Sequence, residues 1–319
     1  MHNAAMKHTI AVVFSFSHHR FNMPLQGLSR LFCLLAGICF FSATASADRS
    51  TAMFNQLKLY AEIAHAAYLP KNEAQVIVET EGYKLVDYGN VPGVEVNYFI
   101  AANDKLKHQI ITVRGTANVE NAMVDISLKL SPDKHANIAL HQGFSEAAEG
   151  IYKALLPKLN KDYTISTTGH SLGGAVAVVL AMFLDKDQYR LGPVVTFGQP
   201  KVTNVSGAQA FSHLDISRVV TSLDLVPLVP PLDVMDINNI DIYWHLGKEI
   251  VLLHDNDYAL LEGIKSMLRS AKVINTTPTE ENLDDHRMSG YLQHVIRRTQ
   301  AAMLVPYETG IDLRDLFGI

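Results

Sequence analysis

The feature that most constrains this chain is the pentapeptide Gly169-His170-Ser171-Leu172-Gly173, set between two runs of opposite character. Ahead of it, Thr164-Ile165-Ser166-Thr167-Thr168 is rich in β-branched residues; behind it, Gly174 leads into the apolar run Ala175-Val176-Ala177-Val178-Val179-Leu180. The pattern predicts a strand, a sharp turn and a helix. G-x-S-x-G at such a turn places a serine on a strained bend, where side chains at the glycines would collide with neighbouring backbone. The bend pushes the Ser171 hydroxyl out at the carboxyl end of the strand. It also sets the Leu172 N–H at the helix start, where the helix dipole helps it stabilise an oxyanion. The pentapeptide alone fits an ordinary strand-to-helix turn as well. Its flanks supply the context that the reactive form requires.

The rest of the chain alternates in the same way. Residues 50–69 carry Phe54, Leu57, Tyr60, Ile63, Ala64 and Tyr68 at helical spacing and end at Pro70. Four short runs rich in Val, Ile and Tyr, at 75–80, 83–88, 94–101 and 108–113, predict strands, the last two joined in a hairpin at Asn103-Asp104-Lys105. Residues 143–159 repeat apolar positions with helical period, and 194–197, 218–222, 242–246 and 248–253 predict further strands. Strands alternating with helices imply an α/β fold, a mostly parallel central sheet with helices on both faces. Nothing between 48 and 319 reads as a linker, so that stretch is taken as a single domain.

Residues 1–47 differ in kind. They hold Lys7, Arg20 and Arg30 but no acid, then the apolar run Leu31 to Phe41, then Ser42-Ala43-Thr44-Ala45-Ser46-Ala47. This is the pattern of a secretory signal peptide cleaved after Ala47, its apolar run too short to span a bilayer as an ordinary helix. From Met23 onward the segment is complete in itself, which makes Met23 a candidate start. Leu35-Ala36-Gly37-Ile38-Cys39 resembles a lipoprotein box, but Ile38 stands where the box takes a small residue. Both cysteines, Cys33 and Cys39, fall inside the segment, so the mature chain has no cysteine nucleophile and no disulfide. Removing three basic residues and no acid from the 27 basic and 32 acidic residues leaves a net charge of −8. Nucleic acid is not an expected partner of such a chain. A secreted protein, periplasmic or extracellular, is expected.

Five motifs in order carry a family resemblance: Ile110-Ile111-Thr112-Val113 running into Arg114-Gly115-Thr116, then His141-Gln142-Gly143-Phe144, Gly169 to Gly174, Phe197-Gly198-Gln199-Pro200 and Asp224-Leu225-Val226-Pro227. Together they resemble the class 3 lipases, fungal-type lipases and their bacterial relatives, which have an α/β-hydrolase fold. The resemblance runs from about Ile110 to about Tyr291. It implies Ser171 as nucleophile, Asp224 before Val226-Pro227 as the acid, and His286, ahead of Tyr291, as the base. Thr116 resembles the oxyanion residue, paired with Leu172. The order Ser, Asp, His is that of α/β-hydrolases. In this chemistry a neutral imidazole takes the serine proton and later gives it to the leaving alcohol, while the carboxylate fixes the ring tautomer. Each oxyanion donor contributes about 3 kcal/mol.

Alternatives stand beside these assignments. His294 and His254 are rivals for the base, and Asp233 and Asp236 for the acid. His170 adjoins the nucleophile but points elsewhere on the turn, and His141 and His245 resemble recurring family positions that serve packing or hydrogen bonds. His254-Asp255-Asn256-Asp257 lacks the glycine of a calcium loop and the spacing of a zinc helix, so it reads as a solvated turn, and neither metal nor cofactor is expected. Asn118 to Leu130 lies where the family carries its lid. Its moderately apolar pattern fits either transient contact with a lipid surface or an ordinary surface helix. The expected activity is that of a serine ester hydrolase of the triacylglycerol lipase kind, acting on lipid or ester substrates with no stable partner. A phospholipase, a short-chain esterase and a non-catalytic lipid-binding protein are the other readings.

Overall fold

The β-branched runs assemble around the strand that ends at Ser171. The computed structural model describes residues 48–91, 96–116, 129–230, 242–271 and 279–307. Along the chain these form α1 (48–66), α2 (Lys71–Thr80), β1 (Lys84–Val91), β2 (Val96–Asn103), β3 (His108–Val113), β4 (Leu130–Asp133) and β5 (Ile138–His141). Then come α3 (Gln142–Leu155), β6 (Thr164–His170), α4 (Leu172–Lys186), β7 (Leu191–Phe197), β8 (Thr203–Asn204), α5 (Val205–Ala210) and β9 (Ile216–Thr221). Last are β10 (Tyr243–Trp244), β11 (Lys248–Leu252), β12 (Asp257–Leu261), α6 (Gly263–Ala271), α7 (Glu280–Asp285), α8 (Met288–Arg298) and β13 (Met303–Leu304).

Nine strands form one sheet in the order β1-β2-β3-β6-β7-β9-β11-β12-β13. From β3 to β11 every neighbouring pair is parallel, while β1, β2 and β3 are joined antiparallel, as is the β11–β12 pair. The register sets Val113 beside Gly169, His170 beside Phe197, and Phe197 beside Val219. The carboxyl ends of β3, β6, β7 and β9 therefore line up along one edge. Ligand sites of open α/β sheets form at this edge.

Side chains on each strand alternate between two cores, as the pleat requires. On one face Ile100, Ile111, Ile165 and Val194 pack against Phe144, Ile151 and the helix α4. On the other, Phe99, Ile110, Val195 and Val219 pack against Phe54 and Ile63 of α1, Val78 of α2 and Tyr291 of α8. Helix α4 is buried continuously from Gly173 to Leu184. Each fully buried aliphatic side chain there contributes roughly 1.5–3 kcal/mol, which fixes the helix that begins at Ser171 more firmly than surface helices are fixed.

Two expected strands are corrected. Residues 75–80 belong to α2, not to a strand. A strand would set Val76 and Val78 on the same face, yet Val76 is 63% exposed and Val78 is fully buried. Val78 packs with Ala74, one helical turn earlier, so tertiary burial overrides the β-branched composition. Residues 242–246 give only the two-residue β10, which joins β8 in a separate four-stranded sheet. The His245 ring bonds the Pro227 carbonyl (2.6 Å), the Leu246 carbonyl accepts from Arg218 Nε, and Gly247 has φ +68°. These contacts turn the chain before the main sheet resumes at Lys248.

His254-Asp255-Asn256 forms the tight turn of the β11–β12 hairpin, with Asp257 N–H bonded to the His254 carbonyl. Residues 1–47, with Met23, Cys33 and Cys39, most of the lid stretch Asn118 to Leu130, and Asp233 and Asp236 lie outside the described residues.

Candidate active site

Ser171 follows β6 directly and has φ +58°, ψ −133°, a conformation that L-residues rarely adopt. Its backbone N–H is held by the Phe197 carbonyl at 2.9 Å, and its side chain does not cap α4. The bend exists because β6, α4 and β3 approach too closely for side chains at the motif glycines. A Cβ on Gly169 would lie 2.5 Å from the Gly173 carbonyl oxygen and 2.7 Å from that of Val113. The Leu172 N–H opens α4, among the amides that a helix leaves without internal partners.

Asp224 stands three residues beyond β9 and is fully buried. One carboxylate oxygen accepts the Val226 N–H (2.9 Å). The other lies 2.7 Å from His286 Nδ1 and accepts the Tyr291 hydroxyl at 2.5 Å. His286 caps the C-terminus of α7 and is 1% exposed. Several links hold α7 against the Asp224 loop: Asn282 Nδ2 donates to the Leu223 carbonyl (2.8 Å), and Leu223 N–H donates to the Asp285 carboxylate (3.0 Å). Because the carboxylate only accepts, Nδ1 of His286 carries the proton in the neutral ring. Nε2 is then a free acceptor. It is buried and has no hydrogen-bond partner.

Ser171 and the Asp224–His286 pair meet at the strand ends. Gly115, just before Thr116, is close enough that a Cβ there would sit 3.0 Å from Ser171 Cβ. The ring of His170 lies 4.5 Å from that of His286. Gly198, at the end of β7, passes under the pair: a Cβ there would fall 2.9 Å from both Asp224 Oδ2 and His286 Cε1. The structure thus brings Ser171, Leu172, Thr116, Asp224 and His286 to one edge, although no hydrogen bond joins Ser171 to Nε2. Such bonds often tighten only with substrate bound. A cavity of about 310 Å³ opens here, lined by Tyr68, Thr116, His170, His286 and Ser289 among others. Thr116 Oγ1 is buried there without a partner.

The rival histidines have other surroundings. His294 bonds Arg297 and Arg298, and His254 is exposed in the hairpin turn. His141 caps α3 by accepting the Phe144 N–H, at 3.4 Å, and stacks on that ring. A Ser–His hydrogen bond, His108 Nε2 to Ser166 Oγ at 2.9 Å, lies near the amino ends of β3 and β6. There Ser166 is fully buried, and the other His108 nitrogen meets Tyr83 rather than a carboxylate. That pair packs the sheet. A larger cavity of about 600 Å³ is lined by Ile216 and Lys248, the first residues of β9 and β11, at the end of the sheet remote from Ser171. The chemistry points away from it despite its size.

Sequence reasoning missed three residues. Tyr291 served only as a spacing mark, Gly198 only as part of a motif, and Tyr68 only as an apolar position on the helix expected over 50–69, which ends at residue 66. The signal for Tyr68 was its place as the last aromatic before Pro70, where a helix end meets the strand edge.

Residues 110–234, from β3 through the Asp224 loop, match the profile of the family described as Lipase (class 3). This segment is similar to the class 3 lipase family. A lipase of Rhizopus niveus is 30% identical over 205 residues, covering 57% of this chain and 52% of that protein. Secreted mono- and diacylglycerol lipase 1 of Fusarium solani is 28% identical over 233 residues, 67% of this chain and 68% of that one. The solved structure of lipase II from Rhizopus niveus superposes with a TM-score of 0.56 at 25% identity, over 74% of this chain and 93% of that one. The chain spans about half the length of the curated Rhizopus relative. Its fold is that of an α/β-hydrolase lipase.

Proposed function

We propose that this chain is a serine carboxylester hydrolase acting on acylglycerols or related lipid esters. The observation that carries the reading is the pairing of a strained, strand-end Ser171 with a buried Asp224–His286 bond that leaves Nε2 of the imidazole free.

In this reading Ser171 Oγ attacks the ester carbonyl while His286 Nε2 takes its proton. Asp224 keeps the ring in the Nδ1–H tautomer and stabilises the imidazolium that forms. The tetrahedral oxyanion meets the N–H groups of Leu172 and Thr116, aided by the α4 dipole. Collapse of the intermediate breaks the ester C–O bond, and His286 returns the proton to the leaving alcohol. A water activated by the same imidazole then hydrolyses the acyl-Ser171 ester. The alcohol leaves on the His286 side, where the imidazole returns its proton.

Residues 1–47 act as a signal peptide and 48–319 as the hydrolase domain. The Fusarium relative's name marks it as secreted, and no helix among the described residues is long and apolar enough to cross a membrane. Residues 118–130 touch the lipid surface transiently. The test is hydrolysis of p-nitrophenyl esters and emulsified acylglycerols of increasing chain length by the mature protein. Turnover that rises with chain length and with an emulsion interface supports a lipase. Absence of turnover on every ester contradicts the reading and leaves lipid binding alone.

A further inference from the structure

A chain of hydrogen bonds crosses the site behind the nucleophile. Gly115 N–H donates to the Tyr68 hydroxyl oxygen (3.1 Å), Tyr68 lies 2.7 Å from His170 Nδ1, and His170 Nε2 lies 2.6 Å from the backbone carbonyl of His286. Only one arrangement of protons satisfies all of it. The His286 carbonyl accepts, so Nε2 of His170 carries the proton. His170 is 3% exposed with the His286 ring beside it, and burial together with that neighbour holds its basicity well below the usual imidazole range. A neutral ring leaves Nδ1 bare, and Nδ1 accepts the Tyr68 O–H. Burial raises the Tyr68 hydroxyl well above its ordinary range, which keeps that proton in place. The direction runs without a break from Gly115 through Tyr68 and His170 to His286.

The ends of this chain matter. Gly115 precedes Thr116, whose N–H faces the oxyanion in the proposed reaction, and His286 carries the base. His170 itself adjoins Ser171. We propose that Tyr68 and His170 are positioning residues that brace the oxyanion strand against the base-bearing turn, so that both are held in register with Ser171. The inference rests on the triad reading above and adds the turn after α1, through Tyr68, to the machinery. The brace acts through geometry, because neither residue exchanges a proton with substrate. Small displacements of reacting groups are costly: misplacement by about 1 Å lowers rates about 100-fold. The groups facing His170 are Tyr68 in the turn after α1, His286, and the Tyr291 ring at 5.8 Å, with Arg114 over the Tyr68 ring at 5.6 Å. No carboxylate bonds to His170; the His286 carbonyl favours its charged form, but burial and the His286 ring outweigh it.

The experiment uses the mature protein, with Tyr68→Phe, His170→Phe, the double variant, Ser171→Ala, and Tyr60→Phe as a control on the preceding helix α1. Active sites are counted by titration with a p-nitrophenyl phosphonate. Tyr68→Phe removes one oxygen and both of its links. Per titrated site, kcat is expected to fall about 10- to 100-fold with KM within about twofold. The acid limb of kcat/KM should move to higher pH, because His170 loses the hydrogen bond that favours its neutral form. The double variant should lose no more than the worse single, since both cut one chain, and Tyr60→Phe should match the parent. Wild-type kcat and pH profile per active site in both Tyr68→Phe and His170→Phe, beside an inactive Ser171→Ala, overturn the brace and leave the triad standing. Full activity in Ser171→Ala overturns both.

Discussion

Tyr291 and His286 share a single oxygen of Asp224: the tyrosine hydroxyl donates to Oδ2 at 2.5 Å and the imidazole Nδ1 lies 2.7 Å from the same atom. Burial and the neighbouring carboxylate raise the Tyr291 hydroxyl well above its usual range, so it remains a donor. The Thr221 N–H in turn donates to the Tyr291 oxygen at 3.3 Å, tying β9 to α8. Tyr291 thus fixes which oxygen of Asp224 faces His286. A hydrogen bond to a charged group contributes about 1.5–3 kcal/mol. Tyr291→Phe is expected to lower kcat about tenfold with little change in KM, measured by steady-state ester hydrolysis. It should also lower the unfolding midpoint, read by calorimetry.

Gly198→Ala should be far more damaging than its size suggests. The residue has φ +57°, and a Cβ would come within 3.0 Å of His286 Nδ1 and 2.9 Å of Asp224 Oδ2. The pair must separate to admit the methyl group. Activity is expected to fall at least about 100-fold, and histidine NMR should show loss of the Nδ1–H signal bonded to Asp224.

Lys201 offers a test by pH. It is fully buried, donates to the Leu228 and Pro230 carbonyls at 2.6 and 2.5 Å, and closes the loop after Asp224. Burial, then the charges of Arg218 and Arg269, lower its pKa to about 7, with Glu249 opposing them. Between about pH 7 and 10 the unfolded chain therefore binds a proton at this lysine that the folded chain releases. Stability from this group rises with pH across that window, by up to about 1.4 kcal/mol per pH unit. The parent should gain stability relative to Lys201→Met as pH rises from 7 to 9 in urea titrations. A constant difference across that range contradicts the assignment.

The parts of the site that were legible in the sequence are those that local chain geometry dictates. Ser171 was readable because a strand, a tight bend and a helix follow in order, and the bend leaves no room for a Cβ at Gly169. Asp224 and His286 needed the family resemblance, since their bond spans 62 residues and no local pattern encodes it. Tyr68 was hidden more deeply: its spacing marks an apolar helix face, while its hydroxyl acts at a strand edge brought near only by tertiary packing. The same cause explains the misread segment 75–80. Its β-branched residues predict a strand, but burial of Ala74 and Val78 on one face decides for a helix. Core periodicity is a local property, and the partner of a polar atom is not.

The central claim is that Ser171 is the nucleophile and His286 its base. The most direct measurement is intact-mass and peptide mapping after reaction with diethyl p-nitrophenyl phosphate. The account predicts one diethylphosphoryl adduct per chain, on the peptide carrying Ser171, absent in Ser171→Ala and formed at least about 100-fold more slowly in His286→Ala. An adduct on another residue, or labelling at the parent rate in His286→Ala, would contradict it.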